Sequence, residues 1–190
     1  MNKYPKYVET NGKQFEINTD FRIALECSEI SRNQAIGDNE KCLAIIYKLF
    51  GEKGLEDHEN RYKLFTLAIK YLKCGETTSD DITNDKEPSM DFEQDEGYIK
   101  ASFMSDYGID LDKANLHWWQ FNDLLKGLTE DCILNRVRYI REEPLTDKKG
   151  KELEKWKEMK KQVELRHVKT KEEKDLDDQW AKVMRKDDEK

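Results

Sequence analysis

The chain has 190 residues, of which 39% are charged, and a formal net charge of −7. That charge is unevenly spread. Residues Lys148 to Lys190 carry 15 basic and 12 acidic side chains, which leaves the first 147 residues at −10, and apolar residues number 58 among the first 145 but only 11 among the last 45. A core therefore belongs to residues 1–145, and residues 146–190 can bury little more than a narrow stripe as a charged helical tail with a frayed terminus. An acidic main body argues against a general nucleic-acid binder, because phosphate contacts need concentrated Lys and Arg. No apolar run approaches the ~18 residues of a spanning helix, and no basic-then-apolar signal opens the chain.

Short alternating segments around Asn11-Gly12 predict a small hairpin over Tyr7–Ile17, since Asn-Gly supplies the positive φ angles of a two-residue turn. Asn18, Thr19 and Asp20 offer caps for a helix opening at about Phe21, with Phe21, Ala24, Leu25 and Ser28 near one face. A second helix is expected after Asp38, with Leu43, Ile46, Tyr47 and Phe50 inward and Gly51 and Gly54 ending it. The third starts near Glu59, turns Tyr62, Phe65, Ile69 and Leu72 inward, and stops at a left-handed Gly75. Residues 76–90 contain almost no apolar matter and read as a flexible linker. A fourth helix follows, carrying Phe92, Ile99, Phe103 and Tyr107 and stopped by Gly108.

The stretch LHWWQFNDLLKGLTED, Leu116 to Asp131, concentrates the largest apolar groups of the chain. Trp118, Phe121, Leu125 and Leu128 fall near one helical face, and Leu116, Trp119 and Leu124 widen it. Adjacent residues on a helix diverge by ~100°, so burying both indoles requires cover over a wide arc, from this chain or from a partner. At least one of the two tryptophans is expected in the core, and the other, whichever of them it is, is the candidate for an interface. Gly127 is expected as a left-handed cap, and Thr129 as the N-cap of a further helix with Ile133, Val137 and Ile140 inward. Pro144 closes the domain. A long charged helix is expected from Lys148, carrying Leu153, Trp156, Met159 and Val163, then Leu176, Trp180 and Val183. The fold class expected is mainly α: about six helices in one domain, with a minor N-terminal hairpin and a long C-terminal helix.

Several of these stretches in this order resemble a known family. INTDFR (Ile17–Arg22), FEQDEGYIKASFMSDYGIDL (Phe92–Leu111), LHWWQFNDLLKGLTED and a basic helix after a proline look like the bacteriophage "gene product fifteen" family of tailed phages and prophages of low-GC Gram-positive bacteria. The resemblance covers about residues 5–170. It implies a gene lying between the major tail protein and the tape-measure protein, and hence a tail assembly chaperone. Such a chaperone coats the tape-measure protein, works in many copies in the host cytoplasm, and is absent from the finished virion. The family brings no catalytic residues with it.

The residues are compatible with that reading. Trp118, Trp119, Phe121, Leu125, Trp156 and Trp180 are candidate partner-binding anchors, since large aromatic groups with few rotors dominate interaction hot spots. They are equally what an ordinary core contains. A nucleic-acid reading would use Lys148, Lys149, Lys151, Lys155, Lys157, Lys160 and Lys161 with Trp156 as a stacking group, but interleaved Glu152, Glu154, Glu158 and Glu164 weaken that field. An enzymatic reading would lean on Asp91, Glu93, Asp95 and Glu96, which the dipole at a helix start explains more simply. Cys27, Cys42, Cys74 and Cys132, like His58, His117 and His167, are too scattered for a zinc site and are expected as reduced cytosolic cysteines and ordinary histidines. No metal, no cofactor and no catalysis are expected.

Overall fold

A computed structural model describes residues 4–75 and 88–166. Among these the chain is mainly α, with seven helices and one two-stranded hairpin. Leu176, Trp180 and Val183, and most of the expected linker, lie outside the described residues. The described residues divide into two compact units, one from 4–75 and 97–135, the other from 88–96 and 136–166.

In the first unit β1 (Tyr7–Thr10) pairs with β2 (Lys13–Glu16) in antiparallel register, Val8 opposite Phe15 and Thr10 opposite Lys13. Asn11 and Gly12 make the two-residue turn with φ of 50° and 73°, the mirror-image turn that matches strand twist. A lone hairpin is marginal in water. Here Phe15 is buried edge-on to Phe50, and the Asn11 amide bonds the buried Asn60, whose Nδ2 donates to both oxygens of Asp57. Lys13 closes the same network on Asp57 at 2.8 Å.

Helix α1 (Phe21–Arg32) is capped by Asp20, which accepts the Arg22 N–H at 2.9 Å. Its buried line is Phe21, Ala24 and Cys27, so Leu25 and Ser28 are only half-buried. Helix α2 (Asp38–Glu56) does not end at Gly51 as expected. Gly51 takes φ 66° and ψ −159°, a kink after which the helix resumes through a buried Gly54. Next to the kink the Leu49 carbonyl accepts the Asn18 N–H at 2.7 Å, which ties the hairpin's exit to α2.

Helix α3 (Arg61–Leu72) buries Leu64, Phe65, Ala68 and Tyr71, while Tyr62 and Tyr47 face outward. Ile46, Phe50 and Phe65 are inward as expected, but Ile45, Leu49, Leu64 and Tyr71 take the places expected for Leu43, Tyr47, Tyr62 and Leu72: both helices have apolar groups on neighbouring positions, and spacing alone does not choose between them. The α3 terminus is a Schellman motif, Gly75 N–H to Lys70 O and Cys74 N–H to Tyr71 O, with Cys74 itself at φ 55° ahead of Gly75 at 80°. Helix α4 (Glu96–Tyr107) starts after Phe92, which lies in the preceding turn, and Gly108 at φ 66° stops it as expected.

Helix α5 (Trp118–Lys126) ends at Gly127, which is not left-handed (φ −88°). A Cβ there would meet the Tyr107 hydroxyl at 3.0 Å, so closeness selects the glycine. Helix α6 (Ile133–Glu142) is not capped by Thr129, whose N–H and hydroxyl both bond Asp106. The Cys132 thiol and the Ser102 hydroxyl instead accept the N–H groups of Asn135 and Leu134. Leu134 and Val137 are buried, and Ile133 is exposed.

The second unit is organised by charge. Asp95, wholly buried, takes a bidentate bond from Arg141 at 2.6 and 2.8 Å, and Arg141 also donates to the Ser89 and Val163 carbonyls. Gln94 bonds the backbone of Glu164 and Arg166. Helix α7 (Gly150–Gln162) is held by Lys160 on the Arg141 carbonyl and by Trp156 edge-on to Tyr139, with Lys148 over the indole. It stops at Gln162 and does not continue through Val163, whose carbonyl is engaged by Arg141.

Removing one member of a buried pair strands the other charge. Asp95→Ala and Arg141→Met should therefore each lower unfolding free energy by about 3–5 kcal/mol, and the double variant should lose less than the sum. Additive losses in chemical denaturation would show that the two groups do not act as a pair.

Candidate functional site

Leu116 to Leu128 is the region where apolar anchors were expected, and it is built from segments far apart in sequence. The Leu116 carbonyl accepts the Phe21 N–H, and the Thr19 carbonyl accepts the Trp118 N–H, so the entry to α1 runs antiparallel to the entry to α5 around the Asp20–His117 bridge. Arg22 locks this arrangement. One guanidinium nitrogen bonds both oxygens of Asp20, and the other reaches the carbonyls of Leu111, Asp112 and Ala114. The INTDFR and YGIDL stretches thus meet through one side chain.

His117 is the N-cap of α5: its Nδ1 accepts the Trp119 N–H at 3.0 Å. Its Nε2 bonds the Pro5 carbonyl at 2.8 Å, and the two bonds together assign the tautomer protonated on Nε2. The two indoles that follow point at one target. Trp118 Nε1 donates to the Leu72 carbonyl and Trp119 Nε1 to the Tyr71 carbonyl, both at 2.9 Å. These are carbonyls of the last turn of α3, which have no partner inside their own helix. Gly75 makes room: a Cβ there would sit 3.0 Å from the Trp119 ring.

Each expected anchor can now be placed. Phe121 is 1% exposed and stacks with Phe21, Phe103 and Trp118 at 4.7, 5.2 and 5.8 Å. Trp118 is 7% exposed. Trp119 and Leu125 are half-buried, Trp119 with its ring against Tyr71 at 6.1 Å. Trp156 is half-buried in the second unit, and Trp180 is outside the described residues. Trp118, Trp119, Phe121 and Leu125 thus come together on α5, while Trp156 belongs to a different unit and sits against Tyr139. The exposed apolar groups are instead mostly tyrosines: Tyr4, Tyr7, Tyr47, Tyr62 and Tyr139, with Met104 and Ile133. Tyr47, Tyr62 and Ile133 were expected inward, because an apolar or aromatic group at helical spacing reads as core as easily as surface.

The chemistry-bearing groups are largely engaged. Asp91 caps the N–H groups of Glu93 and Gln94, and Asp95 is bound to Arg141. Lys148 pairs with Glu143, Lys157 with Glu154, and Lys160 with a carbonyl, which thins the basic face of α7. Burial pushes the Cys27 thiol up to about 12, far from the reactive range. Hydrogen bonds from the Thr129 backbone, then from the Ser105 and Thr129 hydroxyls, hold the Asp106 carboxyl below its usual value. Among the described residues no group of three His, Cys, Asp or Glu side chains is placed to hold a metal ion, and no helix is long and apolar enough to cross a membrane.

Among the described residues two buried side-chain atoms have no hydrogen-bond partner, Arg61 Nε and the Tyr71 hydroxyl. The Tyr71 hydroxyl, in a residue 3% exposed, makes no hydrogen bond, and burial raises its pKa. Tyr71→Phe should therefore leave stability unchanged or raise it by up to about 1 kcal/mol, since an unpaired buried hydroxyl carries only a desolvation cost. The two indoles should differ. Trp118→Phe leaves the Leu72 carbonyl without its indole donor and should cost about 1–3 kcal/mol, whereas Trp119→Phe should cost less, because the Tyr71 carbonyl keeps the Cys74 N–H. Equal losses in thermal or urea unfolding would contradict this assignment of donors.

Compared with known proteins, the chain matches the family model described as "Bacteriophage Gp15 protein" over residues 1–165. No curated protein and no solved structure matches it.

Proposed function

The chain belongs to the bacteriophage Gp15 family, and from that premise we propose that it is a non-enzymatic assembly chaperone of the phage tail that binds the tape-measure protein. The observation that carries the reading is the family match across residues 1–165, because the resemblance implies a gene between those of the major tail protein and the tape-measure protein. The chemistry supports it in two ways. The family-like stretches are spent on holding the fold: Arg22, Gln94, Asp95, Trp118 and Trp119 are all committed to internal bonds. The surface then offers exposed tyrosines and half-buried apolar edges in a strongly charged exterior, which suits reversible capture of amphipathic helices.

In this proposal Trp119 and Leu125 present their edges on the first unit and Trp156 on the second. Trp118 and Phe121 act as the rigid backing of α5. The protein works in the host cytoplasm in many copies, with the major tail protein as a further partner.

Co-expression with the long helical protein encoded beside it should raise that protein's soluble yield severalfold and allow the two to co-purify. Leu125→Ser and Trp156→Ser should weaken co-purification while leaving helical circular dichroism unchanged. A tape-measure protein whose solubility and recovery are indifferent to the chain would remove the proposal.

A further inference from the structure

The segment Tyr4–Lys6, just ahead of β1, lies across the start of α5. The Tyr4 ring stacks on the His117 imidazole with centroids 5.1 Å apart and planes 18° apart. The Tyr4 hydroxyl donates to Asp123 Oδ2 at 2.7 Å, and the imidazole Nε2–H donates to the Pro5 carbonyl at 2.8 Å. At Lys6 the segment joins the hairpin, where the Lys6 carbonyl takes the Ile17 N–H. Among the described residues ahead of that point, Tyr4 and Pro5 are held by one ring stack and two hydrogen bonds.

The Tyr4–Asp123 bond is exposed and the His117–Pro5 bond is only part-buried. Tyr4 is 37% exposed and Asp123 lies at the surface, and Pro5 has no N–H with which to add a further bond. Bonds of this kind are individually weak and comparable with the entropy of ordering the residues that make them. What they cover is a built recess. The His117 imidazole sits edge-on to Tyr71 at 5.9 Å and to Trp119 at 6.5 Å, and its Nδ1 is fixed by capping α5. The recess therefore offers a rigid aromatic face, a directed N–H donor and an acceptor carboxylate.

We propose that Tyr4–Lys6 is a detachable strap, and that the recess beneath it is a docking site for an extended tyrosine-bearing segment of a partner protein. The strap itself shows what the recess recognises: a phenol ring for His117, a phenolic hydroxyl for Asp123, and a backbone carbonyl one residue on for the imidazole N–H. A partner segment with a tyrosine at the same spacing reproduces all three contacts. The strap then acts as an intramolecular competitor. This site shares Trp119 with the helix-binding edges proposed above, but its test needs no tape-measure protein.

The full-length chain has three histidines, so the His117 ring resonances can be assigned and followed by NMR. In Tyr4→Ala they should move out of the ring-current field of the phenol. Adding the acetylated peptide Tyr-Pro-Lys-Tyr-Val, the chain's own residues 4–8, should return them toward their wild-type positions in a saturable way. Half-return is expected at about 1 mM peptide, the order of the effective concentration of a segment on a short tether. The same peptide with Ala in its first position should have no effect. If Tyr4→Ala is poorly folded, Asp123→Asn serves instead, since it weakens the hold on the phenol at an exposed position. Histidine resonances indifferent to both substitutions would show that no strap covers His117. Absence of a saturable return up to about 10 mM peptide would show that the recess accepts no segment in trans.

Discussion

The last turn of α3 presents carbonyl groups that its own helix cannot satisfy, and the first unit is built around that need. A helix end inside a folded unit leaves acceptors that cost free energy unless donors reach them. Backbone closes part of the gap through Cys74 and Gly75, and two consecutive indole N–H groups close more. This explains why the two tryptophans are adjacent. Divergence by ~100° separates the two indoles around α5, and these neighbouring residues reach the neighbouring carbonyls of Leu72 and Tyr71. A phenylalanine pair would be smaller, would leave the Leu72 carbonyl without its indole donor, and would leave the Tyr71 carbonyl to the Cys74 N–H.

The arrangement holds only if α5 starts in the right place, and that start is fixed from the other end of the sequence. Arg22 draws together the carbonyls of Leu111, Asp112 and Ala114 while paired with Asp20, the residue that caps α1. Asp20 lies opposite His117, which caps α5. Two helix starts, one loop and one hairpin exit thereby share a small polar hub next to the aromatic stack of Phe21, Phe103, Phe121 and Trp118. Such a hub selects one arrangement of the helices; the apolar stack alone would tolerate several. In the second unit the Asp95–Arg141 pair has the same organising part, where buried apolar groups are few.

Much of this was legible in the sequence, and the losses follow a pattern. The hairpin was readable because Asn-Gly determines its turn, and the start of α1 because Asp20 is a strong cap. Helix identities survived as well, but facing directions slipped wherever apolar residues occupy adjacent positions, as at Ile45-Ile46 and Leu64-Phe65. Two glycines differ from expectation for a common reason. Gly51 is a kink inside a helix and no stop, whereas Gly127 does end α5 but without the left-handed backbone, at a point of close approach to Tyr107. What a glycine is for depends on its neighbours in space. The Arg22 hub and the Asp95–Arg141 pair join residues 46 to 92 positions apart, and nothing local marks them. The nearest hint was Asp95 itself, an acidic residue in an otherwise apolar-spaced stretch, which the helix dipole seemed to explain.

How the aromatic groups are divided bears on function. Indoles fixed at both ring and N–H cannot re-aim toward a new partner without leaving α3 uncapped, so Trp118 and Phe121 are poor candidates for adaptable recognition. Tyr4 and Tyr139 keep part of their rings in solvent while engaging His117 and Trp156. Their rings offer apolar area and their hydroxyls exchange water for protein partners at little cost, which favours binding that must later be reversed. On the proposed chaperone reading, a protein that must let go of its client is better served by that division than by an exposed tryptophan cluster. The same division makes Trp119 the exception: bonded through its N–H yet half-exposed at its edge, it is the one indole on α5 at which the fold's internal needs and a partner's could meet.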